Sequence, residues 1–404
     1  MLKKINVKDV QVGMYIHEIC GSWMDNPFWQ KSFKLTKATD VESLFEYHIK
    51  EVWIDTGKGL DITSKVNSVS FEEEKHHVNN TLQKIAAGAN KLKPRVTLQE
   101  ELVQAKKIVA NAKQSVISMF SEARMGNAIK MDQAADLVEE INQSIARNPG
   151  ALLSVVRLKN ASNYTYMHSI AVSGLMIALG KELGLDNALL TEVGIAGLLH
   201  DVGKIYIPDQ ILNKTGQLTA EEFAVMKTHP PKGWELLNIS NGVNGIALDV
   251  CQHHHERVDG KGYPNQLSGD TLTTFARMGA ICDVYDAITS TRCYKASWEP
   301  GEALHKMTEW RDGHFDENIF TAFVRTIGIY PSGTLVKLKS GRLAVVIEQI
   351  EGNLLKPMVK VFYSTHSMTY LLPELLDLSR SSDTIINRED AQHWGFNLEK
   401  IGVN

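Results

Sequence analysis

The stretch that most constrains this chain is Ala196-Gly197-Leu198-Leu199-His200-Asp201-Val202-Gly203-Lys204. An apolar run reaching back through Val193, Leu190 and Leu189 delivers a histidine and an aspartate side by side. It predicts a buried helix that stops at Gly203, since glycine takes the left-handed conformation after a helix at little cost. A buried imidazole and a buried carboxylate need partners, because an uncompensated polar or charged group inside a protein costs several kcal/mol. A neutral imidazole beside a carboxylate is a metal-binding pair, and one aspartate can bridge two cations with its two oxygens.

Further groups of the same kind follow the same pattern. His168 sits in the otherwise apolar segment 167–179. Thr219 and Glu222 have capping-box spacing and start a short helix, with His229 expected at its end. Then comes Gln252-His253-His254-His255-Glu256-Arg257-Val258-Asp259-Gly260-Lys261-Gly262-Tyr263-Pro264, a histidine run closing in a turn. Positive φ is expected at its glycines. Asp283 and Asp286 share a helix face in Ile281-Cys282-Asp283-Val284-Tyr285-Asp286-Ala287, and Arg292 and Lys295 follow. Taken singly, each histidine reads as a core residue with a hydrogen-bond partner. Taken together they read as one shared metal cluster, in which the residues alone leave His253 and His255 interchangeable.

His200-Asp201-Val202-Gly203-Lys204, His254-His255-Glu256, Asp259-Gly260-Lys261-Gly262-Tyr263-Pro264 and Asp283-Val284-Tyr285-Asp286-Ala287 resemble the HD-GYP family of cyclic di-GMP phosphodiesterases, a branch of the HD metal-dependent phosphohydrolases. The resemblance spans about 151–330. Val12-Gly13-Met14-Tyr15, Ser22-Trp23, Asn26-Pro27-Phe28 and Val52-Trp53-Ile54-Asp55-Thr56 resemble a small domain of unsettled function often found before HD-GYP domains. The resemblance implies two divalent metals, iron or manganese, held by His168, His200, Asp201, His229, His254, His255 and Asp283, with Asp201 bridging. It further implies catalytic roles for Asp201 and Lys204, and substrate contacts from Arg292, Lys295 and Tyr263. Glu256 and Asp259 are expected to orient imidazoles. Some family members hold a third metal through a glutamate one turn before the first histidine. Here that position is Tyr164, whose phenol must lose a proton of pKa about 10 before it can ligate, so two metals are expected.

The reaction this implies opens a cyclic dinucleotide, cyclic di-GMP to pGpG, and Tyr164 leaves the further step to GMP open. Cyclic GMP-AMP is the alternative substrate, and a cyclic-dinucleotide-binding scaffold is the alternative class. The 259–264 loop is expected to contact a diguanylate-cyclase-type or other signalling partner; a homodimer through a helical stripe described below is the alternative to packing of that stripe within the chain, which is the favoured reading.

At 404 residues the chain holds two or three domains and a sizeable core. A net charge of −4 argues against a duplex nucleic-acid binder, which is usually basic. No apolar run is long enough to span a membrane and the start is no signal-peptide core, so a cytoplasmic protein is expected. Cys20, Cys251, Cys282 and Cys293 lack metal-ligand spacing and read as reduced thiols. The fold class is mainly α: an all-helical HD-type catalytic domain over 151–330, a small β-rich N-terminal domain over 1–62, a linker and helical connector over 63–150, and a C-terminal β appendage over 331–404. In the N-terminal domain, Trp23, Phe28, Trp29, Phe33 and Trp53 are expected in the core rather than on a ligand-binding face. His76 and His77 are expected on a solvated helix face or linker. In the connector, Leu98, Leu102, Ala105, Val109, Ala112, Val116 and Met119 form a stripe at spacings of three and four, suited to packing on the chain's own core or pairing with a second copy. Strands are expected near 334–338, 342–347 and 358–363, with a closing helix near 390–393.

Overall fold

The computed structural model describes the chain except for residues 22–31, 48, 63–67, 87–95, 158–163, 217, 291–297, 351–352, 397 and 399–404. Trp23, Phe28, Trp29, Cys293, Arg292 and Lys295 therefore lie outside the described residues. Two compact units emerge: Met1–Leu82 with His305–Asp312, and Gln83–Leu304 with Gly313–Asn404.

In the first unit, β1 (Leu2–Asn6), β2 (Tyr15–Ile19), β3 (Phe33–Lys34), α1 (Ala38–Glu46), β4 (Glu51–Asp55), β5 (Ser68–Ser70) and α2 (Phe71–Ala86) follow in order. The strands make one antiparallel sheet in the order β3-β2-β4-β1-β5. Alternation along the strands sends Ile5, Ile16, Val52 and Ile54 into a common core with Leu44 of α1. Trp53 is buried too, edge-on to Phe71 at 5.6 Å, which fits the core role expected of it. Strand pairing carries the sheet past residue 62, because Lys3, Lys4 and Ile5 pair with Ser70, Val69 and Ser68. His76 and His77 are exposed on α2. Residues 305–312 join this unit through an ion pair of Lys306 Nζ with Glu18 at 2.8 Å.

The second unit is helical and then β. Its helices are α3 (Leu98–Arg124), α4 (Met131–Arg147), α5 (Pro149–Arg157), α6 (Tyr164–Glu182), α7 (Asn187–Leu199), α8 (Asp209–Leu212), α9 (Ala220–Met226), α10 (His229–Asn238), α11 (Gly245–His253), α12 (Thr274–Thr289), the two ends of α13 (Pro300–His314), whose residues 305–312 count with the first unit, and α14 (Glu317–Ile327). The middle of α6 is buried all round, from Met167 to Gly180, as a helix without a polar face must be. Around it pack α3, α4, α5, α7, α12 and α14. The α3 stripe is absorbed by this core: Ala105, Val109, Ala112, Val116 and Met119 are all buried. Glu101, buried on the same helix, is held by Arg147 at 2.6 Å and Ser144 at 2.7 Å.

After α14 come β6 (Leu335–Leu338), β7 (Arg342–Ile350), β8 (Asn353–Ser364), β9 (Thr369–Asp377) and β10 (Ile385–Arg388), an antiparallel sheet in the order β10-β6-β7-β8-β9. Pro373 sits in the edge strand β9, where a missing N–H costs no ladder bond. The helix expected near 390–393 is absent. Ala391 packs on Leu343, Val345 and Phe362 with Trp394 and Phe396 against them, and one turn, closed by the Phe396 N–H donating to Ala391 O at 2.9 Å, brings these side chains onto the sheet. Covering the sheet face decides the local backbone there. No helix among the described residues is long and apolar enough to cross a membrane.

Candidate metal centre

Three helices, α6, α10 and α12, and the turns that follow α7 and α11 bring all seven histidines and aspartates named as metal ligands from the sequence to one place. Asp201, His229, His254 and His255 form one group and His168, His200 and Asp283 another, with one ligand atom of each residue within 4.8 Å of the others in its group. Asp201 lies between them. Its Oδ2 is 3.5 Å from His168 Nε2 and 3.4 Å from His200 Nε2, while its Oδ1 is 3.3 Å from His229 Nε2 and 3.7 Å from His254 Nε2. Asp283 Oδ1 is 2.9 Å from His168 Nε2. His253 points elsewhere, bonded to Asp249 at 2.9 Å, and His255 is the one that joins the group.

The backbone fixes which ring nitrogens face inward. His200 Nδ1 lies 2.8 Å from Gly197 O, His229 Nδ1 2.8 Å from Met226 O and His254 Nδ1 3.0 Å from Val250 O. A carbonyl only accepts, so each Nδ1 carries the proton and donates, leaving Nε2 with a bare lone pair. These bare nitrogens face one another: His200 and His168 Nε2 are 3.3 Å apart, as are His229 and His254 Nε2. Asp201 Oδ1 and His255 Nδ1 are buried with no hydrogen-bond donor. A buried set of converging lone pairs and carboxylates without donors is repulsive unless a cation joins it, so these residues fit a metal.

At His229, His254 and His255 the ionisation states agree with that. Burial lowers the imidazoles of His229 and His255 and pushes His254 down to about 3, keeping them neutral. Burial also lowers His200, but the facing Asp201 and Asp283 outweigh it and the net direction is up. Burial would raise Asp201 and Asp283, yet Lys204 with the imidazoles around Asp201, and His168 with His255 around Asp283, hold both carboxyls well below their ordinary range. Both carboxylates are therefore charged at neutral pH.

Two glycine expectations change with the structure. The helix α7 ends at Leu199, and Gly203 lies inside a short 3-10 segment, Val202–Tyr206, without positive φ. Its requirement is close approach: a Cβ there would meet His229 O at 1.9 Å and Gly233 N at 2.5 Å. Gly260 does have positive φ, +73°, but Gly262 is again a close approach, with a Cβ 2.4 Å from Glu256 Cα. His229 is corrected too. It opens α10, followed by Pro230 and Pro231, which suit a helix start, rather than ending α9. The capping box at Thr219 and Glu222 is present.

Glu256 and Asp259, expected to orient imidazoles, instead hold the loop. Glu256 accepts from the N–H groups of Asn265 at 2.6 Å and Leu267 at 3.1 Å. Asp259 takes a two-point contact from Arg257, with Nε 3.1 Å and Nη2 2.9 Å from its two oxygens. So held, the loop stacks Tyr263 on His255 with ring centroids 4.7 Å apart. The orienting carboxylate that the sequence left undecided is Asp286, whose Oδ2 is 2.6 Å from His168 Nδ1. Its only signal was the three-residue spacing from Asp283. Lys204 Nζ sits 2.5 Å from Asp201 Oδ2. The ring of Tyr164 stacks on His168 at 5.3 Å.

An all-helical domain that converges imidazoles and carboxylates on one doubly facing aspartate defines an HD-type metal-dependent phosphohydrolase. The comparisons with known proteins agree. The chain matches the HD domain over residues 127–319 and a domain of unknown function, DUF3391, over residues 2–134. It is 47% identical to a cyclic di-GMP phosphodiesterase of Pseudomonas aeruginosa, covering 99% of this chain and 95% of the relative. The response regulator RpfG of Xanthomonas campestris, a cyclic di-GMP phosphodiesterase, is 33% identical, with 51% of this chain and 54% of the relative covered. A 3'3'-cGAMP-specific phosphodiesterase of Vibrio cholerae is 35% identical, with 46% and 42% covered. The chain belongs to the HD-GYP family of phosphodiesterases.

Proposed function

We propose that this protein hydrolyses cyclic di-GMP to linear pGpG at a two-metal centre, with iron or manganese as the metals. The arrangement of Asp201, one oxygen toward each half of the ligand cluster, carries this reading. His229, His254 and His255 with Asp201 would hold one metal, and His168, His200 and Asp283 with the other Asp201 oxygen the second. A mixed imidazole and carboxylate set without thiolate suits such metals. When bound, two metals supply a hydroxide-like nucleophile at neutral pH and neutralise the charge of the phosphodiester.

The protein's own residues do the rest. The Nδ1–H bonds to backbone carbonyls hold three imidazoles in the ligating tautomer. Asp286 fixes His168. Lys204 places a point charge beside the reacting phosphate. Tyr263, raised by burial and therefore a neutral phenol, covers His255 and limits water on that side. Arg292 and Lys295 are assigned the substrate's phosphates from the family motif. Tyr164 stands where a third metal's carboxylate would be, which favours two metals and accumulation of pGpG over GMP. A cytoplasmic location suits this chemistry, since nucleotide messengers are made there.

Chromatography of the products from cyclic di-GMP and cyclic GMP-AMP, run in parallel, tests the substrate. Faster loss of cyclic di-GMP with pGpG accumulating is expected; faster loss of cyclic GMP-AMP would make that the substrate instead. Asp286→Asn is expected to lower metal affinity roughly 10- to 100-fold, the usual effect of losing a carboxylate that orients a ligating imidazole. Metal titration reads this directly, and wild-type affinity in the variant would refute the role given to Asp286.

A further inference from the structure

The short helix α9 packs against the loop that carries Tyr263. Phe223 meets Tyr263 edge-on, with centroids 6.3 Å apart, and Tyr263 in turn lies on His255. Lys227, one turn after Phe223, places its ammonium 4.9 Å from the Phe223 centroid and 5.9 Å from that of Tyr263. Two other lysines of this part of the chain sit against carboxylates: Lys204 is 2.5 Å from Asp201 and Lys214 is 2.5 Å from Glu222. The Lys227 ammonium has none among the described residues, although the side chain is half-buried.

A half-buried ammonium held only by ring faces keeps three donors unanswered. Cation–π contact is worth about 0.5–2 kcal/mol and restrains where the charge sits without neutralising it. The site beside it is read as one that takes a molecule with two phosphates, and the metal centre engages only the one being cut. The other phosphate, beyond what Arg292 and Lys295 are assigned above, is suited by a further positive charge with an aromatic surface for the adjoining base, and both lie beside the Tyr263 loop. Lysine serves a phosphate as a movable point charge, and aromatic rings accept any base by stacking.

We infer that Lys227 binds the phosphate that is not cut, with Phe223 and Tyr263 holding its ammonium in place. The assignment rests on the cyclic-dinucleotide reading above. It adds a substrate contact at the C-terminal cap of α9, outside the motifs that carry the family resemblance.

The test uses the full, metal-loaded chain with cyclic di-GMP and with bis(p-nitrophenyl) phosphate, a diester with a single phosphate. For Lys227→Met, KM for cyclic di-GMP is expected to rise about tenfold or more, as loss of one charge-assisted contact would give. The ratio of kcat/KM for cyclic di-GMP to that for the one-phosphate ester should fall by a similar factor. Lys227→Arg, which keeps the charge, should restore most of that ratio. Equal losses on both substrates, or an arginine variant no better than methionine, would overturn the assignment and leave Lys227 as a brace for the loop. Wild-type protein that cuts the one-phosphate ester and no cyclic dinucleotide would overturn the proposed function itself, and this assignment with it.

Discussion

Asp201→Ala is expected to cost roughly a thousandfold or more in kcat/KM, the scale of the several kcal/mol a metal centre contributes to the transition state. The reason lies in its two oxygens. Each faces a different half of the cluster, at 3.3–3.7 Å from two Nε2 atoms, so the truncation takes one ligand from both halves at once. It also strands the ammonium of Lys204, 2.5 Å from Oδ2 in the intact protein. Metal content should fall with activity. Asp201→Asn separates charge from shape: it keeps the volume and removes the charge shared by both halves, and is expected to follow the alanine variant. Activity within tenfold of wild type in either variant would contradict the bridging role.

The second large effect is expected from Gly203→Ala, although this residue touches no ligand atom. An added Cβ would sit 1.9 Å from His229 O, 2.5 Å from Gly233 N and 2.9 Å from Gly233 Cα. All three are backbone atoms of α10, so relief requires moving that helix, and His229 is its first residue. Overpacking commonly costs about 1–3 kcal/mol and more where backbone must shift. A fall in Tm of roughly 10 °C follows for a domain of this size, together with loss of one metal. Gly245→Ala is the control: nothing lies within 4 Å of a Cβ there and φ is ordinary. Its expected effect is neutral to slightly stabilising, by helix propensity. A Gly203→Ala protein with wild-type Tm and metal content would show that α10 is free to move and that the close approach does not position His229.

Most of the cluster was legible in the sequence because burial and polarity conflict there. A histidine or aspartate in the middle of Leu, Ile, Val and Ala, as at His168, His200 and Asp283, demands a partner, and the shared demand points to one place. What could not be read was anything set by contacts between distant segments. From sequence Gly203 reads as a helix stop, whereas its true neighbours are His229 and Gly233 in a later helix. Asp286 and Asp283 have the same spacing signature, but only the fold shows that one faces the cluster and the other grips His168 from behind. Lys227 lies in an unremarkable polar stretch, and only the folded chain sets it over two rings. Near the C-terminus, Asp390 to His393 looked helical by composition, and sheet coverage by Ala391, Trp394 and Phe396 prevailed. The edge strand β9, interrupted by Pro373, gave no alternation to detect.

The most direct test of the central claim is the metal content of the active protein purified without oxygen, measured alongside hydrolysis of cyclic di-GMP. About two iron or manganese ions per chain, with activity lost on chelation and restored on their return, is the predicted result. Full activity in protein stripped of metal would contradict the account. Three metals per chain would contradict the role given to Tyr164.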